Sequence, residues 1–200
     1  MITVDALLFN RTLYYLSFPW STVHDNPTGW IYPGFDSPNF LAAVSAGFTV
    51  NYFCYRPVLR FDTSFLPAGS VIIDALITLY VRSVTISSHA VYTHVIATPG
   101  VQHTPVIVSD YGDQLPITQN LGQVDLNDCI VDDITVINLN SAGKDHLTRE
   151  GLTRFCIRQE MDLLDYAPPL GSNTLTFSTA QAVYWQRPKL VVRYAPPPPP

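Results

Sequence analysis

The chain has almost no glutamate and almost no lysine. Fourteen of its sixteen acidic residues are Asp and nine of its eleven basic residues are Arg, leaving two Glu and two Lys in 200 residues. Strong helix formers are therefore scarce, which argues against a helical bundle. Charge of either sign is sparse, 14% of residues against 47% hydrophobic. With a net charge of −5 and no basic stripe, direct binding of nucleic acid is not expected. No apolar run reaches the ~18 residues that a membrane-spanning helix needs, so no membrane partner is expected either. The opening MITVDALLFNRTLYYLSF lacks a basic start and is broken by Asp5, Asn10 and Arg11. It does not read as a secretory signal. Its Asn10-Arg11-Thr12 is the one glycosylation sequon, set in strand-like text and expected to be unused.

Catalytic and metal motifs are equally thin. Cys54, Cys129 and Cys156 are an odd number, with no CxxC and no Cys–His spacing. Cys54 and Cys156 stand in strand-like text, "YFCYR" and "RFCIR", and read as buried thiols. "AVSAG" has Ala where a nucleophile elbow needs its first Gly. His24, His89, His94, His103 and His146 are scattered. No catalytic set emerges, and the expectation is a protein that is not an enzyme.

What the chain does have is alternation. Val71, Ile73, Ala75, Ile77, Leu79 and Val81 occupy every second position, which predicts a strand with one face on a core. Leu59 and Phe61 alternate with Arg60 and Asp62 in the same way. Between them Leu66-Pro67-Ala68-Gly69 breaks both ladders, because Pro67 has no backbone donor and Gly69 tolerates positive φ. Further strands are predicted within 4–18, twice within 40–62 with a break at Ala46-Gly47, over 90–98, in "TPVIVSD", over 129–138 and 153–161, and in 175–179 and 189–194. In the 153–161 strand Phe155 and Ile157 face one way and Arg154, Cys156 and Arg158 the other. Residues 23–39 and 111–122 read as loops. Ser141 is placed to cap one short helix that Gly151 ends. The expected fold is all-β: a jelly-roll β-sandwich of two antiparallel sheets with one short helix, filling residues 1–194 as a single domain. Residues 195–200, Ala195 followed by Pro196, Pro197, Pro198, Pro199 and Pro200, form a stiff polyproline arm. It reads either as a linker or as an element that lies on a neighbouring subunit.

"VLRFDTSFLPAGSVIIDALITLYV" resembles the signature of DNRLRE-type domains, through Arg60, Phe61-Asp62, Leu66-Pro67-Ala68-Gly69, Ile72, Ala75, Leu76 and Leu79-Tyr80. "TFSTAQAVYWQRPKLVVRY" is similar to the closing strand of that family through Phe177, Ser178, Pro188, Lys189, Leu190, Val192 and Tyr194, and "INLNSAGKDHLTREGLTRFCIRQEMD" is similar to the segment before it. The resemblance implies a jelly-roll sandwich related to carbohydrate-binding modules of surface proteins.

Few residues stand out as a site. Trp20, Trp30, Tyr32 and Phe35 share one Pro/Gly-rich region, and Tyr184-Trp185 form a second aromatic group. Trp30, Tyr32 and Trp185 are the candidate ligand-binding residues, with plugs at the ends of the sandwich as the competing reading. Asp110 and Asp113 in "SDYGDQ" are candidate ligands of a structural Ca²⁺, with turn-forming Asp as the alternative. Arg60/Asp62 and Arg158/Asp162 are candidate ion pairs on a sheet face. A weakly charged, aromatic-rich surface is poorly guarded against association. The functional expectation is accordingly a structural or adhesion protein: a virion surface component, such as a bacteriophage head-decoration or tail protein, that binds neighbouring subunits and forms a homo-oligomer. The alternative is a carbohydrate-binding module at a cell surface or in the extracellular space, with glycans as partners.

Overall fold

Long alternating strands dominate the architecture, as the period-two pattern predicts. The structure is a computed structural model and describes residues 1–7, 11–17, 19–31, 39–46, 52–87, 92–168 and 171–197. Its strands are β1 Ile2–Asp5, β2 Arg11–Ser17, β3 Trp30–Ile31, β4 Asn39–Ala46, β5 Tyr52–Asp62, β6 Val71–Thr85, β7 His94–Pro99, β8 Gly122–Asp125, β9 Ile134–Leu139, β10 Leu152–Gln159, β11 Gly171–Ser178 and β12 Lys189–Ala195. All pairings are antiparallel. The strands run in the order β1-β12-β6-β11-β4-β5-β10-β7-β8-β9, and a further β6–β9 pairing closes the path on itself. The fold is an all-β, jelly-roll-like sandwich whose two layers are joined through this curled sheet.

Two long strands make that curl. The first half of β6 pairs with β12, its last residues pair with β11, and its middle pairs with β9 along the other edge. β5 pairs with β4 and β2 through its first residues and with β10 through its last. Inside lies one apolar core that includes Leu59, Phe61, Ile77, Leu79, Val81, Phe155, Ile157, Leu175, Phe177 and Leu190. The β5–β6 corner is built as its sequence demands: Gly69 has φ +76° and the Ser70 N–H closes the turn on the Pro67 carbonyl at 3.1 Å.

The apolar face of β6 is not continuous. Ala75, Ile77, Leu79 and Val81 are buried, but Val71 and Ile73 are exposed. The register against β12 slips between Arg193 and Tyr194, so two residues of β6 oppose one of β12. Such a bulge reverses the side-chain parity beyond it. Ile72 and Tyr194 then turn towards the core instead.

Several local expectations need correction: the 23–39 stretch, read as loop, holds strand β3, and four short helices occur among the described residues where one was expected. "TPVIVSD" is not a strand among the described residues. Its Val106 plugs a second apolar cluster, and the Asp110 carboxylate captures the N–H groups of His103 (3.0 Å) and Ile107 (2.8 Å). Side chains that bond nearby backbone in this way compete with a strand ladder. The stretch after it is not simply polar loop: it opens with the short helix α2, Asp110–Asp113, whose Tyr111 is fully buried. The expected helix exists as α3, Ser141–Asp145, but its cap is Asn140, whose side chain accepts from Gly143 N–H at 3.0 Å. Two more short helices occur, α1 Trp20–His24 and α4 Glu160–Leu163, with 3₁₀ turns at Leu126–Asp128 and Tyr184–Gln186.

Candidate functional site

The outward face of the β9–β6–β12 layer carries exposed apolar residues that the strand register ties together. On β9, Thr135, Ile137 and Leu139 point inward, while Ile134 and Val136 are exposed. Register places Ile134 opposite Tyr80 and Val136 opposite Thr78, and residues directly opposite share a face. Thr78 in turn faces Lys189 of β12. The 3₁₀ turn before β12 lays Trp185 edge-on against Tyr80, with ring centroids 4.9 Å apart, and Lys189 Nζ sits 3.9 Å from the Tyr184 ring centre. Trp185 is 57% exposed and Tyr184 65%. Exposed Ile130 and Val131 precede β9. Exposed apolar side chains grouped in this way make a candidate contact surface. Trp185 was a candidate from sequence; Ile134 and Val136 were not, because the apolar run at 129–138 reads as core until the parity of β9 is known.

Trp30 lies elsewhere, on β3. It stacks on Tyr15 (centroids 5.1 Å apart, 21° between planes) and meets Tyr14 edge-on, while Tyr14 stacks on Tyr55. Trp30 is 45% exposed. Trp30 pairs into the β2–β5 side and Trp185 packs on β6, so they belong to two separate groups. Tyr32 and Phe35 lie outside the described residues, as do Asn10 and Pro198–Pro200. Past β12 the chain carries on along the same register, Ala195 opposite Val71, so that the Pro197 ring bounds the space beside Gly69.

Asp110 is fully buried and both its oxygens are occupied by N–H donors of its own loop, with His103 Nδ1 on the same oxygen as the His103 backbone N–H. Asp113 is exposed nearby. This arrangement holds the 103–110 loop. The carboxylate in turn raises the pKa of His103 above its ordinary value through the hydrogen bond and its charge.

The other faces of β5 and β10 are buried as well, a feature that alternation alone does not reveal. Arg56, Arg158 and Asp162 are 0–1% exposed. Arg56 donates through Nε and Nη2 to the Asp162 carboxylate, at 3.0 and 2.6 Å. Arg158 donates through Nε to the same carboxylate at 2.6 Å. The remaining donors serve backbone carbonyls: Arg56 those of Tyr111 (2.8 Å) and His24 (3.1 Å), Arg158 those of Gln114 (3.0 Å), Ile117 (2.8 Å) and Asp162 (3.0 Å). Burial alone would raise the Asp162 pKa, but the Arg158 and Arg56 guanidiniums outweigh it and hold the carboxyl well below the usual carboxylate range. The Arg158–Asp162 pair expected from sequence is therefore present but buried, and Arg56 joins it. Arg60 instead donates to Thr104 Oγ1 at 2.8 Å, and Asp62 accepts from Ser64 N–H.

Cys54 and Cys156 are buried free thiols, as expected. Cys156 faces Val58, four residues from Cys54 along β5. That separation is about 13 Å at strand rise, beyond the ~7 Å Cα limit of a disulfide. Burial pushes both thiols up to about 12. Among the described residues, no helix is long and apolar enough to cross a membrane.

Compared with known proteins, the chain matches no family model and no curated protein.

Proposed function

We propose that the chain is a non-enzymatic structural subunit, best read as a virion surface component such as a bacteriophage head-decoration or tail protein, that docks a second copy of itself through the β9–β6–β12 face. The observation that carries this reading is the run of exposed apolar side chains Ile134, Val136, Tyr184 and Trp185 gathered around Tyr80. Contact cores are enriched in aromatic residues, and here Tyr80, Tyr184 and Trp185 supply them, with Arg82 and Lys189 packed on the Tyr80 and Tyr184 rings as a charged rim. A sandwich suits the role, because the strand ladders hold the face in place without help from a partner. The resemblance to DNRLRE-type domains of surface proteins agrees with a scaffold or adhesion role. The test is light scattering across a concentration series. The native chain is expected to form a defined oligomer, and Ile134→Asp combined with Trp185→Ala to reduce it to monomer with unchanged circular dichroism. A native chain that is monomeric at every concentration overturns self-docking.

A second reading rests on Trp30. Its ring lies nearly parallel to Tyr15 and it is partly exposed, the arrangement of a platform for a sugar ring. A carbohydrate-binding module would use it, and a glycan-array screen of the native chain against Trp30→Ala tests that alternative.

A further inference from the structure

His24 closes α1 and is 8% exposed. Its Nε2 lies 2.9 Å from the carbonyl oxygen of Asp162, which only accepts, so Nε2 carries a proton. Nδ1 then points at two more acceptors, Asp25 Oδ1 at 2.6 Å and Asp165 Oδ1 at 3.2 Å. No donor reaches Nδ1 among the described residues. A proton on Nδ1 serves both carboxylates only as a shared bond with a longer arm to Asp165, at 3.2 Å, whereas a cation takes all three atoms together. Nδ1, an Asp25 oxygen and an Asp165 oxygen all lie within 4.8 Å of one another.

The surroundings are those of a prepared ligand set. The Asp162 carbonyl fixes the ring and its tautomer, and Trp20 Nε1 donates to Asp165 Oδ1 at 3.0 Å, holding that carboxylate in place. Partners of this kind, one bond behind the ligand atoms, orient metal ligands and set their basicity. Asp165 is held at φ +51°, a conformation that Asp and Asn tolerate better than other residues with a side chain. The His103–Asp110–Asp113 group differs, because both Asp110 oxygens are taken by N–H donors of its own loop, whereas Trp20 holds only Oδ1 of Asp165.

The geometry points to a divalent transition-metal site formed by His24 Nδ1, Asp25 and Asp165. One imidazole with two carboxylates suits Zn²⁺ or a neighbouring first-row ion, and disfavours Ca²⁺, which takes oxygen ligands. The ion would tie α1 to the segment after α4, 141 residues along the chain, directly over the Arg56–Asp162 pair. The site is independent of the docking face.

The experiment is calorimetric titration of the full chain with ZnCl₂, with thermal unfolding in parallel. Expected are one ion bound per chain, a rise in Tm, and no comparable effect of CaCl₂ at the same concentration. Asp25 and Asp165 side chains are each 60% exposed, so Asp25→Asn and Asp165→Asn fold, and Asn keeps the φ of Asp165. Each variant should weaken Zn²⁺ binding at least tenfold, the double variant should abolish the Tm rise, and His103→Gln should leave both unchanged. Absence of Zn²⁺ binding by the native chain, or equal affinity in the two Asn variants, overturns the site.

Discussion

The two faces of β5 and β10 are both buried, yet they are buried by opposite means. The inner face presents Leu59, Phe61, Phe155 and Ile157 to other strands. The outer face presents Cys54, Arg56, Val58, Cys156 and Arg158 to short helices and loops. Strands satisfy one another's backbone groups, so apolar side chains complete the inner packing. Irregular cover does not satisfy its own carbonyls, and each one buried without a partner costs free energy. Arg56 and Arg158 supply the missing donors, to the carbonyls of His24, Tyr111, Gln114, Ile117 and Asp162. The guanidinium fork suits this, with five donors in a fixed plane. The lesson is that charge here serves the cover and that a single carboxylate, shared by two guanidiniums, offsets half of it.

The sharpest way to break this comparison is to remove the balance. Asp162→Asn keeps the shape but leaves two buried guanidiniums without their counter-ion. Breaking a buried ion pair from one side costs about 3–5 kcal/mol, and the expected result in urea unfolding is a loss of that size. Arg158→Met comes next. It replaces the charge with an apolar chain but orphans the carbonyls of Gln114 and Ile117, so a cost of about 1–3 kcal/mol for each unpaired group is expected. A neutral Arg158→Met would show that the network is an ordinary replaceable ion pair. As the control on the inner face, Leu59→Ala should cost about 2–5 kcal/mol through its cavity, yet leave hydrogen exchange of the 111–117 cover coupled only to global unfolding.

This contrast also marks what the sequence discloses. The all-β class, the β5–β6 corner and the inward set Ile77, Leu79, Val81, Phe155 and Ile157 follow from period-two alternation, because a strand obeys that period wherever its ladder is regular. The exposure of Val71 and Ile73 does not follow, because a bulge at Arg193/Tyr194 resets the parity from the partner strand. The outer face of β10 is visible as Arg154-x-Cys156-x-Arg158, but alternation cannot say whether that face meets water or cover. Arg56 is separated from Asp162 by 106 residues, so no local spacing joins them. Trp185 is legible as a candidate aromatic, but not whether it is exposed or plugs an end of the sandwich, and the apolar residues beside it on β9 become surface only once β9 is known to begin at Ile134.

Acid sharpens the comparison with a smaller and graded effect. The Asp162 carboxyl has a depressed pKa in the folded state, so its contribution is fully present above the unfolded-state value of about 4 and is lost as pH falls towards the folded value. Stability of the native chain should therefore fall below about pH 4 more steeply than that of Asp162→Asn, in which this carboxyl is gone. Parallel pH dependences in the two proteins would remove Asp162 from the acid response.

The gentlest probe reads the cover through its thiols. Cys54 and Cys156 lie under the irregular cover, their pKa pushed to about 12 by burial, whereas Cys129 is only half-buried. The thiolate is the reacting species, so at pH 8 both should resist an alkylating reagent until the cover opens. Cys129 should label first in the native chain. In Asp162→Asn, at denaturant low enough to keep the strands folded, Cys54 and Cys156 should label faster and together, while amides of β6 keep their protection. That outcome would make the cover a separate opening unit, held by guanidinium-to-carbonyl bonds. If instead the thiols and the β6 amides became accessible at one rate, the two faces would open as one, and the different means by which they are buried would have no consequence for how the molecule comes apart.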